Sequence, residues 1–146
     1  MGFAIDRSRT IISAMILGRR VTAQDVAWLR REVFAGGAVT REQADELFAV
    51  ARADMNNAPE WREFFVEMIA RHAVRQSEPE GAVSEERAAW LLSRVDECRS
   101  VEALAALLNV LAEARSVPEW FLDAGRARVT GGWPTAGRAL AAATTG

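Results

Sequence analysis

Residues 21–29 read Val-Thr-Ala-Gln-Asp-Val-Ala-Trp-Leu, and residues 83–91 read Val-Ser-Glu-Glu-Arg-Ala-Ala-Trp-Leu. In both, a Val precedes a hydroxyl residue suited to cap a helix, and Ala-Trp-Leu follows. Further matches keep the same offset of 62: Val33 with Val95, and Val39 with Val101. Pro59-Glu60-Trp61 then matches Pro118-Glu119-Trp120 at an offset of 59, so three residues are lost between the last two matches. This reads as two diverged copies of one three-helix unit, residues 21–72 and 83–129. Each triplet has an apolar face that needs a cover, and the other copy supplies it. The matched Trp28, Trp61, Trp90 and Trp120 are then expected in a shared structural core. An aromatic cage for a ligand is the alternative use of such pairs.

Working outward, helical spacing recurs along the chain. A helix is expected over 6–17, capped by Asp6 and ended by Gly18 in a left-handed conformation. The next follows Thr22, with Val26, Leu29 and Val33 on one face, and stops at Gly36-Gly37. Thr40 and Gln43 form a capping box for a third, with Ala44, Leu47, Phe48 and Ala51 inward. Pro59 sits in the favoured first turn of a fourth, which carries Trp61, Phe64, Phe65, Met68, Ile69 and His72 to about residue 75. Gln76–Gly81 is the clearest loop. Helices after Ser84, after Ser100 and from Pro118 complete the second copy. The expectation is all-α: one compact bundle of about seven helices over 1–130, then a short tail over 131–146.

Composition narrows the chemistry. The chain has 146 residues, one domain's worth, and a formal charge of −2. Its 18 basic residues are all Arg, so it offers no lysine for a Schiff base or a phosphate loop. One Cys (Cys98) and one His (His72) exclude an internal disulfide and a Cys/His zinc cluster. Cys98 reads as a small buried apolar residue on a helix. The apolar run Ile11–Leu17 is too short to cross a bilayer, and the start lacks the form of a signal peptide. It reads as a structural helix of a cytoplasmic protein, with no membrane partner.

A shorter echo crosses the repeat. Gly37-Ala38-Val39-Thr40-Arg41-Glu42 parallels Gly81-Ala82-Val83-Ser84-Glu85-Glu86. Each is a turn followed by a capped helix start. The pattern resembles the second half of an EF-hand loop and the turn of tellurite-resistance TerB-like helical domains. That resemblance implies a helical fold with acidic residues beside the turn, and a weak divalent-metal-binding stress-response role. Calcium needs oxygen ligands at loop positions one, three, five and twelve. Aligned on Gly37, these are Glu32, Phe34, Gly36 and Gln43. Aligned on Gly81, they are Gln76, Glu78, Glu80 and Arg87. Neither set suits calcium, and the Asp that precedes the glycine in the family is here Gly36 or Glu80. Glu78, Glu80, Glu85 and Glu86 remain as a local acidic group for a divalent ion, or as a solvated helix start favoured by the dipole.

No nucleophile elbow, phosphate loop or dinucleotide fingerprint is present, and no cofactor is implied. His72 is the one general acid–base candidate, and a small enzyme would centre on it. The plainer reading is a partly buried helix histidine, beside a Glu63, Glu67, Arg71 ion-pair ladder. Charge is uneven: residues 1–31 hold six Arg against Asp6 and Asp25. The slightly negative total disfavours nucleic acid. The doublets Arg19-Arg20 and Arg30-Arg31 either pair within the chain or meet an acidic protein, a second copy included. The stripe Ile12, Met15, Ile16 has no counterpart in the repeat. It either closes the bundle or docks on a partner. The function expected from sequence is a non-catalytic helical interaction or scaffold module, able to form a homodimer.

Overall fold

The computed structural model describes Ser13 and residues 15–53 and 55–130. The expectations for residues 6–12, Ile12 included, and for the tail 131–146 lie outside the described residues. Met15–Leu17 are helical. Six helices follow. α1 is Ala23–Trp28 and continues as a π-helical turn, Leu29–Val33. α2 is Arg41–Arg52 and α3 is Pro59–Ala70, which continues as a second π-helical turn, Arg71–Arg75. α4 is Glu85–Cys98, α5 is Val101–Glu113 and α6 is Glu119–Thr130. No strand occurs among the described residues, and none of their helices is long and apolar enough to cross a membrane. The fold is all-α.

Local chemistry sets the helix starts. Thr22 Oγ1 accepts from the Asp25 N–H at 3.1 Å while the Asp25 carboxylate accepts from the Thr22 N–H at 2.9 Å. Thr40 and Gln43 make the same reciprocal box for α2. Ser84 and Ser100 cap α4 and α5 through the N–H groups of Arg87 and Ala103. These are the donors that a helix start leaves without intrahelical partners.

Before each of three helices stands a residue with positive φ, then a buried Val two places on. The triplets are Arg19 and Val21, Gly37 and Val39, Gly81 and Val83. The left-handed residue at the first is Arg19, not Gly18 as expected, because the Arg19 N–H closes the turn onto Ile16 O. The Val backbones are all tied down. The Val21 N–H donates to Asn57 Oδ1 at 2.7 Å, and the Ala58 N–H donates to Val21 O. The Val83 N–H donates to Ser116 O at 3.0 Å, beside an isolated bridge between Ala82 and Ser116. At Val39 the Gln76 side-chain amide does both jobs: its Oε1 accepts from Val39 N–H and its Nε2 donates to Val39 O.

The core centres on α3 and α5, which make the most extensive helix–helix contact. α1 packs on α3, α4 on α2 and α5, and α6 on α5. Trp61, Phe64, Phe65, Met68 and Ile69 of α3 and Leu104 and Leu107 of α5 are all buried. Met15 is buried in the same core and Ile16 packs against it. The described part of that stripe therefore lies against the bundle core.

The matched tryptophans part company. Trp61 and Trp90 are buried and Trp28 is half-buried against the core, but Trp120 is 41% exposed. Trp120 is not a core residue. On α6 the inward place belongs to its neighbour Phe121, which is fully buried. The positions that match Phe64, Phe65, Met68 and Ile69 are Asp123, Ala124, Ala127 and Arg128, which give α6 no equivalent apolar stripe. α6 thus turns a different face to the bundle and lies at its edge.

Candidate functional site

His72 belongs to the π-helical turn after α3 and is buried. Its Nδ1 lies 2.9 Å from Val39 O, which can only accept, so Nδ1 carries the proton. Nε2 is then an acceptor, and the Arg41 Nε–H donates to it at 3.2 Å. The ring meets Trp90 edge-on at 5.1 Å between centroids. Burial pushes the His72 pKa below its ordinary value; the Val39 hydrogen bond opposes this, and the nearby Arg87 and Arg41 charges reinforce it.

Arg41 ties the cluster together. Its guanidinium donates to both Glu86 carboxylate oxygens, at 2.8 and 3.0 Å, and lies over the Trp90 ring at 4.4 Å. The paired fork lowers the Glu86 pKa. Trp90 Nε1 donates to Asp45 Oδ1 at 2.8 Å, and Arg94 Nε donates to the same oxygen. One helix start, one π-helical turn and the middle of α4 therefore meet through a single cation. Beside the cluster, a groove of about 310 Å³ runs between α2 and α4. Asp45, Arg94, Glu97 and Arg52 line it over Phe48 and Cys98. The Cys98 Sγ–H donates to Phe48 O, and burial raises its pKa to about 11, so it is a thiol rather than a nucleophilic thiolate.

No family model matches the chain, and neither a curated protein nor a solved structure does.

The sequence-derived residues fall into three groups. The first is internal: Arg30 donates to Glu67 at 2.9 Å and covers Phe64, and Arg31 pairs with its neighbour Glu32. Of the expected ladder, Glu67–Arg71 is formed, and Glu67 is held below the usual carboxylate range chiefly by the Arg30 hydrogen bond. The second is the acidic group. Glu78 and Glu80 are exposed, Glu85 accepts from the Trp120 indole at 3.0 Å, and Glu86 is held by Arg41. Among the described residues no three acidic, His or Cys side chains are placed to hold a metal ion. The third group is Arg19 and Arg20, exposed beside Leu17, which is 83% exposed.

Sequence reasoning placed His72 but not its surroundings. Glu86 reads as part of a solvated helix start, and Arg41 and Asp45 are not singled out as site residues. The π-helical turn and the α2–α4 contact that gather them leave no mark in residue spacing. The one available signal was the lone His six residues before the 78–81 turn, among apolar neighbours.

Proposed function

We propose that the chain is a non-catalytic, duplicated helical interaction module, related to TerB-like and EF-hand-like domains, that associates with further copies of itself. The exposed Leu17, Arg19 and Arg20 carry this reading: an apolar side chain and two cations that form no ion pair among the described residues stand side by side at one turn. Elsewhere both His72 nitrogens and the Cys98 thiol are closed by internal partners. The complementary surface is Trp120 with Glu85, beside the exposed Glu119 and Asp123. Trp and Arg are the residue types that anchor interfaces.

The like turns at Gly37 and Gly81, each followed by a buried Val and a hydroxyl cap, support the kinship. The like pairing of Val21 with Asn57 and of Val83 with Ser116 supports the duplication, since these residues correspond at the offsets of the repeat. A contact between two different patches is heterologous and grows with concentration unless it closes. Light scattering across a salt series tests the reading. The mass should exceed 16.0 kDa at low salt and fall towards it as salt rises. The double variant Arg19→Glu, Arg20→Glu should stay monomeric throughout. A wild-type mass fixed at 16.0 kDa at every salt and concentration rejects self-association.

A further inference from the structure

We propose that His72 is a proton-operated latch: protonation of its ring releases Arg41, uncovers Trp90 and loosens the contact between α2 and α4. The hydrogen-bond roles at this site admit one protonation state. Val39 O accepts from Nδ1 and Arg41 Nε–H donates to Nε2, so both ring positions are committed with the ring neutral. A proton added at Nε2 would point at an N–H that cannot accept, and two cations would face each other within hydrogen-bond distance. One of the two side chains must move. His72 is enclosed in the core and also held at Val39, whereas Arg41 is partly exposed and its Glu86 partner is in solvent, so Arg41 moves.

The charged groups facing His72 are Arg41 and Asp45 from α2 and Glu86 and Arg87 from α4. Arg87 also donates to His72 O at 2.9 Å, so its guanidinium stays close and adds to the repulsion. Asp45 is the one acid that favours the charged ring, and Trp90 and Arg94 already share its Oδ1. When Arg41 leaves, the ring of Trp90 loses its cation cover at 4.4 Å and the α2–Glu86 tie is cut.

His72 is the chain's one histidine, so its ring protons report without assignment. In an NMR pH titration of the full chain, the His72 midpoint should fall below the ordinary value for histidine. The Arg41 Nε–H and Trp90 Nε1–H signals should shift with that same midpoint. In His72→Gln, which keeps a neutral donor and acceptor, the two signals should stay level over that range and respond only where Glu86 titrates. Should that variant not fold, Arg41→Gln leaves His72 as the reporter, and its midpoint should rise. The latch is rejected if Arg41 and Trp90 stay still while His72 titrates, if His72→Gln keeps the wild-type response, or if Arg41→Gln leaves the midpoint where it was.

Discussion

Trp61 and Trp90 are both buried, yet their indole N–H groups fare differently. Trp90 donates to Asp45, whereas Trp61 Nε1 has no partner among the described residues and lies stacked on Phe65. A buried donor without a partner costs about 1–3 kcal/mol. Trp61→Phe removes that penalty along with part of the packing, so urea midpoints should show a small net change. Trp90→Phe removes a made hydrogen bond, leaving Asp45 with Arg94, and weakens the surface under Arg41. It should destabilise by about 1–3 kcal/mol. The prediction fails if the two variants lose stability equally. At Cys98 the raised pKa predicts slow reaction with a disulfide reagent in the folded chain at neutral pH. Labelling should speed up sharply once denaturant unfolds it.

At the scale of elements, the turns before α2 and α4 share a glycine of positive φ but not its surroundings. Gly37 has φ +84 and open space around an added Cβ, whereas Gly81 has φ +91 and an added Cβ would lie 2.8 Å from Arg115 Cγ. Gly37→Ala should therefore cost only the backbone strain, about 1 kcal/mol. Gly81→Ala should cost more, because Arg115 must also move, although as a flexible side chain it can. Paired denaturation curves check the order. Most helix starts were readable because caps are local: Thr22, Thr40, Ser84 and Ser100 each bond to an N–H three residues on. The π-helical turns were not readable. Their bonds, Phe34 N–H to Leu29 O and Gln76 N–H to Arg71 O, join residues five apart, one more than in an α-helix, and so small a change leaves the apolar spacing of a short segment looking α-helical. The Val39–Gln76 pairing was hidden for another reason: a side chain does there what a neighbouring strand would do, 37 residues away.

For the whole molecule, the sequence matches between 21–72 and 83–129 were misleading as a plan of the core. Trp120 matches Trp61, yet Asp123 and Arg128 on the same helix already showed that its apolar face had been lost. Stability against pH also belongs at this scale. The unfolded chain takes up a proton on His72 near pH 6.5, while the folded chain resists because burial lowers that pKa. Stability should be level above that pH and fall as acid carries the chain towards the folded value. A further loss should follow below about pH 4.5, as protonation reaches the carboxylate of Glu67 that Arg30 holds ionised. His72→Gln should remove the first decline and leave the second. A single decline in both proteins would refute the assignment.

The position of α6 has a consequence for the order in which the molecule opens. α3 is enclosed by its neighbours, while α6 leans on α5 through Phe121 and through Gly125, whose missing side chain makes room for Leu111. Amide hydrogens in α3 should exchange with solvent only when the entire chain unfolds, and those of α6 through a smaller excursion of lower free energy. Two exposed side-chain ties to α4 hold α6 down, the Arg128–Asp96 ion pair and the Trp120–Glu85 hydrogen bond. Two helices that carry the same Pro-Glu-Trp run at their N-terminal ends would then sit at opposite ends of the protection scale, one a keystone and the other a hinged flap.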